Sequence, residues 1–448
     1  MRLRFLLPAL LLTTAAGCDS ILDTEPVDRI PVEEAITDAP TARAALVGAY
    51  DALTSLAYYG RNFLVLGDLS ADNAEHTGTL TALADVGLNT LDAENTTIDG
   101  MWATIYAAIA RTNLIIQQVP GVAGLDQVER DQILGEVYFL RALHYHNLVK
   151  FWGEVPLVLA PVQSPDEAAA FQRASVAAAY DQIISDLDEA AARITDTDQR
   201  LQVSVGAVDA LRSRVLLYRE DWQGTINAAA AVFAQGFVLV GDYAELFTEE
   251  GTATSEDIFR LAFSAQEYNE LGYYYLFAGR EEVAPTEDLF LAYEPGDERF
   301  AWSVAVDNGA YEGTKFPTTV GAEDLHVIRL AEVILNKAEA HAMLDQLPLA
   351  VAEYNKVRVR AGLLAHVLGV DVIDRQDVLE AIWRERRVEL AFEGDRWPDL
   401  VRTGRAVEVL ALPACQAHQV LYPVPRSERV VAPLLTQNPG YEPLVTCG

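Results

Sequence analysis

The sequence predicts a mostly helical protein, a tetratricopeptide-like array of about four helical hairpins carrying an irregular insert of loops and short strands. Three observations lead there. Apolar residues recur at helical spacing in segments near 41–56, 98–118, 126–151, 175–194, 205–219, 222–235, 323–344, 348–361 and 376–394. Two neighbouring pairs place a small and a large residue where the second helix of such a hairpin packs: Ala350 with Tyr354, and Ala228 with Val232 beside Tyr218. Between 259 and 316 the texture changes, with 13 of the 39 aromatic residues in that stretch, set among Gly and Pro turns.

Each element has its own signal. Asp38 or Thr41 can cap the first helix. "EDIFRLAFS" and "RFAWSVAV" alternate over a few residues and read as strands. An apolar fraction of 51% over 448 residues excludes general disorder and supplies material for burial. Acidic groups number 66 against 33 basic ones, for a net charge of -33, so most faces repel a phosphate backbone or an anionic bilayer. Nucleic acid is therefore not an expected partner.

The N-terminus "MRLRFLLPALLLTTAAGCDS" has Arg2 and Arg4, an apolar run too short to span a bilayer, and small residues before Cys18. It reads as a secretory signal over 1–17, with Cys18 as the lipidated first residue of a lipoprotein; the alternative is an ordinary cleaved signal and a free Cys18. Residues 18–38, acidic and containing Pro26 and Pro31, suit an extended tether, and 39–448 then forms a single domain with its insert at 259–316. Cys415 and Cys447 allow one disulfide clamping the tail, or two unpaired buried thiols. No Cys/His spacing points to zinc. His144 and His146, two apart on a helix, face different ways and read as packing. No metal or cofactor is expected.

"WRERRVELAFEGDRWPDLVRTG" (383–404) balances five arginines against five carboxylates. Spacing pairs Arg386 with Glu389, Glu393 with Arg396 and Asp399 with Arg402 at i, i+3. Interleaved with Trp383, Leu390, Phe392, Trp397 and Leu400, the charges read as a structural network around a turn at Gly394. The competing reading makes Glu389 and Glu393 an acid/base pair, but no nucleophile or motif accompanies them.

Several stretches, in this order, resemble the SusD/RagB family of outer-membrane nutrient-binding lipoproteins over essentially the whole chain. They are "CDSILDTEP" (18–26), "MWATIYAAIARTNLII" (101–116), "LGEVYFLRALHYHNLVKFWGEVPLV" (134–158), "VIRLAEVILNKAEA" (327–340), "YNKVRVRAGL" (354–363), "ERRVELAFEGDRWPDLVRTG" (385–404), and finally "LYPVPRSE" and "TQNPGY". The resemblance implies four tetratricopeptide-like units packed against a TonB-dependent outer-membrane transporter. It further implies a non-enzymatic role, capture of glycans or peptides at the cell surface, and membrane attachment through the lipid alone.

A glycan site needs aromatic platforms with hydrogen-bonding side chains at their edges. No Phe, Tyr or Trp lies between Phe63 and Trp102, where starch-binding relatives draw part of their aromatic arc, so starch specificity is not expected. The candidates are Asp72, Asn73 and His76 in "SADNAEHTG", Tyr273 and Tyr275 in "NELGYYYLF", and Trp302 and Tyr311 in "WSVAVDNGAY". If that tyrosine run is extended, Tyr273 and Tyr275 share a face and Tyr274 opposes them. Two further classes compete: an extracytoplasmic glycoside hydrolase, and a tetratricopeptide-like scaffold that binds only a protein partner.

Overall fold

The computed structural model describes residues 35–248 and 252–442. The signal segment, Cys18, Cys447 and most of the tether lie outside the described residues. Cys415 is disulfide-bonded, and its partner also lies outside them.

In chain order the first helices are α1 (Ala39–Thr54), α2 (Asn62–Leu69), α3 (Thr81–Gly87), α4 (Thr96–Gln118), α5 (Gln127–Trp152), α6 (Pro165–Ala169), α7 (Val176–Ala191), α8 (Val205–Tyr218) and α9 (Trp222–Ala234), with strand β1 (Ala74–His76) after α2. Their starts follow side-chain chemistry. Asp38 accepts the Thr41 N–H at 2.9 Å, and Asn95, Asp126, Ser175, Ser204 and Asp221 cap their own helices in the same way. The insert holds β2 (Asp257–Leu261), α10 (Leu271–Tyr275), β3 (Val283–Pro285), α11 (Glu287–Ala292), β4 (Val304–Asp307), β5 (Ala310–Gly313) and β6 (Leu325–Arg329). The chain closes with α12 (Leu330–Met343), α13 (Leu347–Arg360), α14 (Arg375–Glu389), α15 (Arg396–Arg402), α16 (Ala406–Val409) and α17 (Arg426–Val431).

Four hairpins form the scaffold: α1 with α4, α5 with α7, α8 with α9, and α12 with α13. α9 and α14 both pack on α12 and join the array into one core. Ala350, Tyr354 and Val232 are buried and Ala228 nearly so, which is the small-and-large packing that the spacing predicts. His144 and His146 are also fully buried, and burial pushes both far toward the neutral form.

The described strands form three antiparallel pairs, β2 with β6 and β4 with β5 in and beside the insert, and β1 with β3, which ties the 74–76 segment to it. Here the structure departs from the sequence reading. Residues 325–329, expected as the first turns of a helix, form β6 because "LHVIR" alternates and the edge of β2 is there to pair with. "RFAWSVAV" divides into a 3-10 turn, Glu298–Trp302, followed by β4. The last long helix stops at Glu389, before the Gly394 turn.

That early stop decides where the charges of 383–404 go. Of the three i, i+3 pairs expected, only Asp399 with Arg402 forms, at 2.8 Å. The backbone break between α14 and α15 sends the others to partners far away in sequence. Arg386 reaches Asp399 at 2.9 Å, and Arg396 grips both oxygens of Asp72 at 2.6 and 2.7 Å. Glu393 accepts from Lys315 at 2.9 Å and from Arg329 at 2.8 and 2.9 Å. The fully buried Glu389 accepts from Arg299 at 3.0 Å and from Arg329 and Arg360.

Around Glu389 a buried network therefore draws Arg299 from the insert, Arg329 from the end of β6, Arg360 from the end of α13, and Glu256 beside β2. It fastens the insert to the scaffold. Both glutamates are held below the ordinary carboxylate range: burial opposes ionisation, but the surrounding guanidiniums, joined at Glu393 by Lys315, overcome it. A general acid needs the opposite shift, so the geometry supports architecture here. Glu393→Gln is expected to lower the melting temperature while leaving ligand affinity within about twofold, as a thermal melt and a titration on the same preparation will show.

The same network predicts an acid limb of stability. Burial acts to raise the Asp257 carboxyl, yet His326 and Arg260 beside it bring it down to about 2. A carboxyl depressed in the folded state contributes its stabilisation fully above the unfolded value near 4 and loses it as pH falls through the folded value. Glu389, Glu393, Asp395 and Asp399 shift in the same direction. Asp68 opposes them: burial raises it to about 6, so its ionisation costs stability as pH rises from about 4 to 6. Denaturation midpoints measured against pH should fall steeply between about 4 and 2, with no comparable loss between 4 and 6.

Candidate functional site

An open cleft of about 400 Å³ lies on the insert, lined by Tyr268, Asn269, Glu270, Tyr273, Thr319 and Val320. Tyr268 and Tyr273 are 46% and 41% exposed, unusual for aromatic side chains in a stretch where most others are packed. Two backbone segments form it, and glycine lets them touch. A Cβ at Gly272 would lie 1.9 Å from the Thr318 carbonyl oxygen, and one at Gly321, where φ is +67°, would meet Asn269. Buried Asn269 locks the junction, its N–H and amide donating to the Gly321 carbonyl at 2.8 and 3.1 Å. Gly272→Ala is therefore expected to displace the 318–321 segment and weaken ligand binding by more than its effect on the melting temperature would suggest, which parallel titration and melting will test.

The cleft's charge is oriented from behind. Arg61, carried at the start of α2, lies 4.7 Å over the Tyr274 ring, donates to its hydroxyl at 2.9 Å and pairs with Glu270. The Tyr273 carbonyl accepts the Arg280 N–H at 2.6 Å, while the Arg280 side chain donates to Glu282 at the same distance. Glu282 in turn accepts the Thr79 and Leu80 N–H groups at 2.9 and 3.0 Å. Burial works to raise Glu282, but those N–H groups and Arg280 hold it ionised below its ordinary value. By this relay the 77–80 loop is anchored to the tyrosine segment.

Of the seven candidate ligand residues, only Tyr273 lines this cleft. Tyr275 is buried against Phe316 and Phe392, because 271–275 is a short helix and not an extended strand; Tyr273 alone of its run faces outward, and the expected sharing of a face with Tyr275 is corrected. Asn73 is completely buried, donating to Asp68 at 2.8 Å and accepting from Arg387 at 2.9 Å. Asp72 is committed to Arg396 and Arg387. These contacts give Tyr275, Asn73 and Asp72 structural duties. His76 lies in β1, 3.3 Å from Glu282. Trp302 packs on the cluster of Val240, Tyr243, Leu246 and Phe247, and Tyr311 on Phe290 at 5.3 Å between ring centres. Tyr268, Glu270 and Thr319 were not singled out from sequence. The signal for Tyr268 was available: an aromatic in the polar run "SAQEYNE" has no neighbouring apolar partners with which to pack.

Two exposed rings with a carboxylate, a hydroxyl and backbone groups at their edges can stack on an apolar CH face and hydrogen-bond its hydroxyls. Among the described residues no group of His, Cys, Asp and Glu is placed to hold a metal. No described helix is long and apolar enough to cross a membrane.

In sequence and in overall fold the chain is similar to SusD-like proteins. Residues 306–413 match the model of the SusD family, and 23–217 match a SusD-like model described as starch-binding associating with outer membrane. A SusD-like protein of Formosa agariphila is 26% identical over 95% of this chain and 96% of its own. Among solved structures, a SusD superfamily protein from Bacteroides vulgatus superposes with a TM-score of 0.82 at 24% identity, covering 90% of this chain and 98% of that one. A laminarin-binding SusD-like protein superposes with a TM-score of 0.79 at 26% identity, covering 90% and 100%. By family models, curated relatives and fold alike, the chain is similar to the SusD/RagB proteins.

Proposed function

We propose that this protein captures glycans at the bacterial cell surface, in the Tyr268/Tyr273 cleft, and passes them to a TonB-dependent outer-membrane transporter. One observation carries the binding half: two tyrosines, exposed at 46% and 41%, line the same open cleft. Two exposed rings beside one cleft offer a joint apolar surface, and sugars present the CH faces that would cover it. The laminarin-binding relative supports a glycan ligand, and the description of the second family model supports an outer-membrane setting. In this reading Cys18 is the lipidated residue, 18–38 the tether, and the transporter the partner of the helical scaffold.

The chemistry supports binding without turnover. A glycosidase places two carboxyl groups across the scissile bond. Glu270 is the one carboxylate among the residues lining this cleft, and it is paired with Arg61. The test is a titration of purified protein with a panel of laminari-, malto- and xylo-oligosaccharides, with chromatography for products. Saturable binding of at least one, weakened roughly tenfold by Tyr273→Ala and unchanged by Trp302→Ala, supports the proposal. Shortened oligosaccharides would indicate a hydrolase, and neither binding nor product would indicate a protein-binding scaffold.

A further inference from the structure

A second cleft, of about 270 Å³, opens between α11, α14 and the start of α16, and shares no lining residue with the tyrosine cleft. Arg384, Arg387, Arg396 and Arg405 line it together with Trp383, Leu291, Ala292, Asp288 and Glu380. Four guanidiniums meet two carboxylates there, on a chain whose net charge is -33. The cleft lining is thus richer in guanidiniums than in carboxylates, although Asp72 and Glu294 stand behind it.

Its arginines are unequally satisfied. Arg396 is held by Asp72, and Arg387 by Asp288 at 2.7 Å, by Asp72 at 3.2 Å and by Asn73. Arg384 donates to the Ala292 carbonyl at 3.3 Å, and its carboxylate partner Glu294 is 3.7 Å away. Arg405 has no carboxylate within ion-pair distance among the described residues. Its guanidinium lies instead 4.5 Å over the Trp383 ring, whose buried Nε1 has no hydrogen-bond partner. Burial and the neighbouring Arg396 hold Arg405 below the ordinary guanidinium range, against the weaker pull of Glu380, Asp72 and Glu408.

An incoming oxyanion would supply that missing acceptor, and the planar arginine fork suits a carboxylate or a sulfate. The cleft is too large for an ion alone. Leu291, 66% exposed, and Trp383 add an apolar wall of the kind a sugar ring covers. We infer that this cleft is a second ligand subsite, taking the carboxylate or sulfate of an acidic saccharide between Arg405 and Arg384. The saccharide part rests on the proposed glycan role; the oxyanion part stands on the cleft's own chemistry.

The experiment is calorimetric titration at constant ionic strength with trigalacturonate, its neutral methyl ester and a sulfated galactotriose, on the intact protein and on Arg405→Ala, Arg384→Ala and Tyr273→Ala. At least one charged probe should bind, with roughly tenfold weaker binding for the ester or for Arg405→Ala and little change for Tyr273→Ala. Circular dichroism and melting identify any variant that misfolds, and Arg384→Ala, at an exposed position, supplies the independent check. Binding that ignores the charge of the probe, or affinity for a charged probe within twofold of the intact protein in both arginine variants, overturns the inference; so does no binding of either charged probe. Loss of neutral laminari-oligosaccharide binding in Tyr273→Ala reports on the other cleft, so the two proposals fail separately.

Discussion

Glu389→Ala is expected to destabilise the protein by about 3 kcal/mol, the lower part of the range for removing one partner from a buried ion pair. The lower part applies because each guanidinium would keep another acceptor: Arg299 keeps Asp297 and Glu385, Arg329 keeps Glu256 and Glu393, and Arg360 keeps Glu256. What disappears is the one carboxylate that all three share, at the point where the insert meets α13 and α14. Glu389→Gln, preserving shape and one acceptor, should recover part of the loss. Urea unfolding of both variants checks this, and a loss below about 1 kcal/mol for Glu389→Ala would remove the network from its central place. Glycan affinity, measured below the transition, should stay near that of the intact protein.

Gly67→Val is expected to be the next most damaging change, at about 1–3 kcal/mol or more. Here α2 lies directly on the turn after α14: a Cβ at position 67 would fall 2.2 Å from the carbonyl oxygen of Gly394. Gly394 itself has φ +83°, and Phe392, two residues earlier, is left-handed at +65°. The contact places the buried Asp68 carboxylate where it accepts the Phe392 and Gly394 N–H groups, each at 3.2 Å. No side chain fits between these two backbones, so the turn would have to move, carrying with it Asp395 and its 3.0 Å bond to the buried Lys150. A lower urea midpoint together with faster proteolysis near 390–396 is the expected result. A midpoint equal to that of the intact protein would show that the two backbones separate freely.

The scaffold was readable because apolar residues recur at helical spacing in most of its helices, and Ala350 with Tyr354 marks the hairpin contact without any long-range information; α5 is the exception, buried on nearly all sides from Ile133 to Trp152. The charged stretch was readable as architecture but not in its pairing. Arg386 and Glu389 are neighbours on an ideal helix, yet Glu389 bonds Arg299, Arg329 and Arg360, and no local periodicity encodes a partner 29 residues or more away. The same limit applied to the site. Asp72 and Asn73 look like loop residues free for a ligand until Arg387 and Arg396 arrive from the other end of the chain. Tyr275 resembles Tyr273 in sequence, and only the helical turn at 271–275 sends one into the core and the other into water.

The decisive measurement is a crystal structure of the protein with whichever neutral oligosaccharide binds most tightly in solution. A sugar ring lying against Tyr268 and Tyr273, within reach of Glu270 and Thr319 and with its glycosidic bonds whole, is the predicted density. A saccharide seated elsewhere with those two rings bare, or a cut product beside Glu270, would contradict the account.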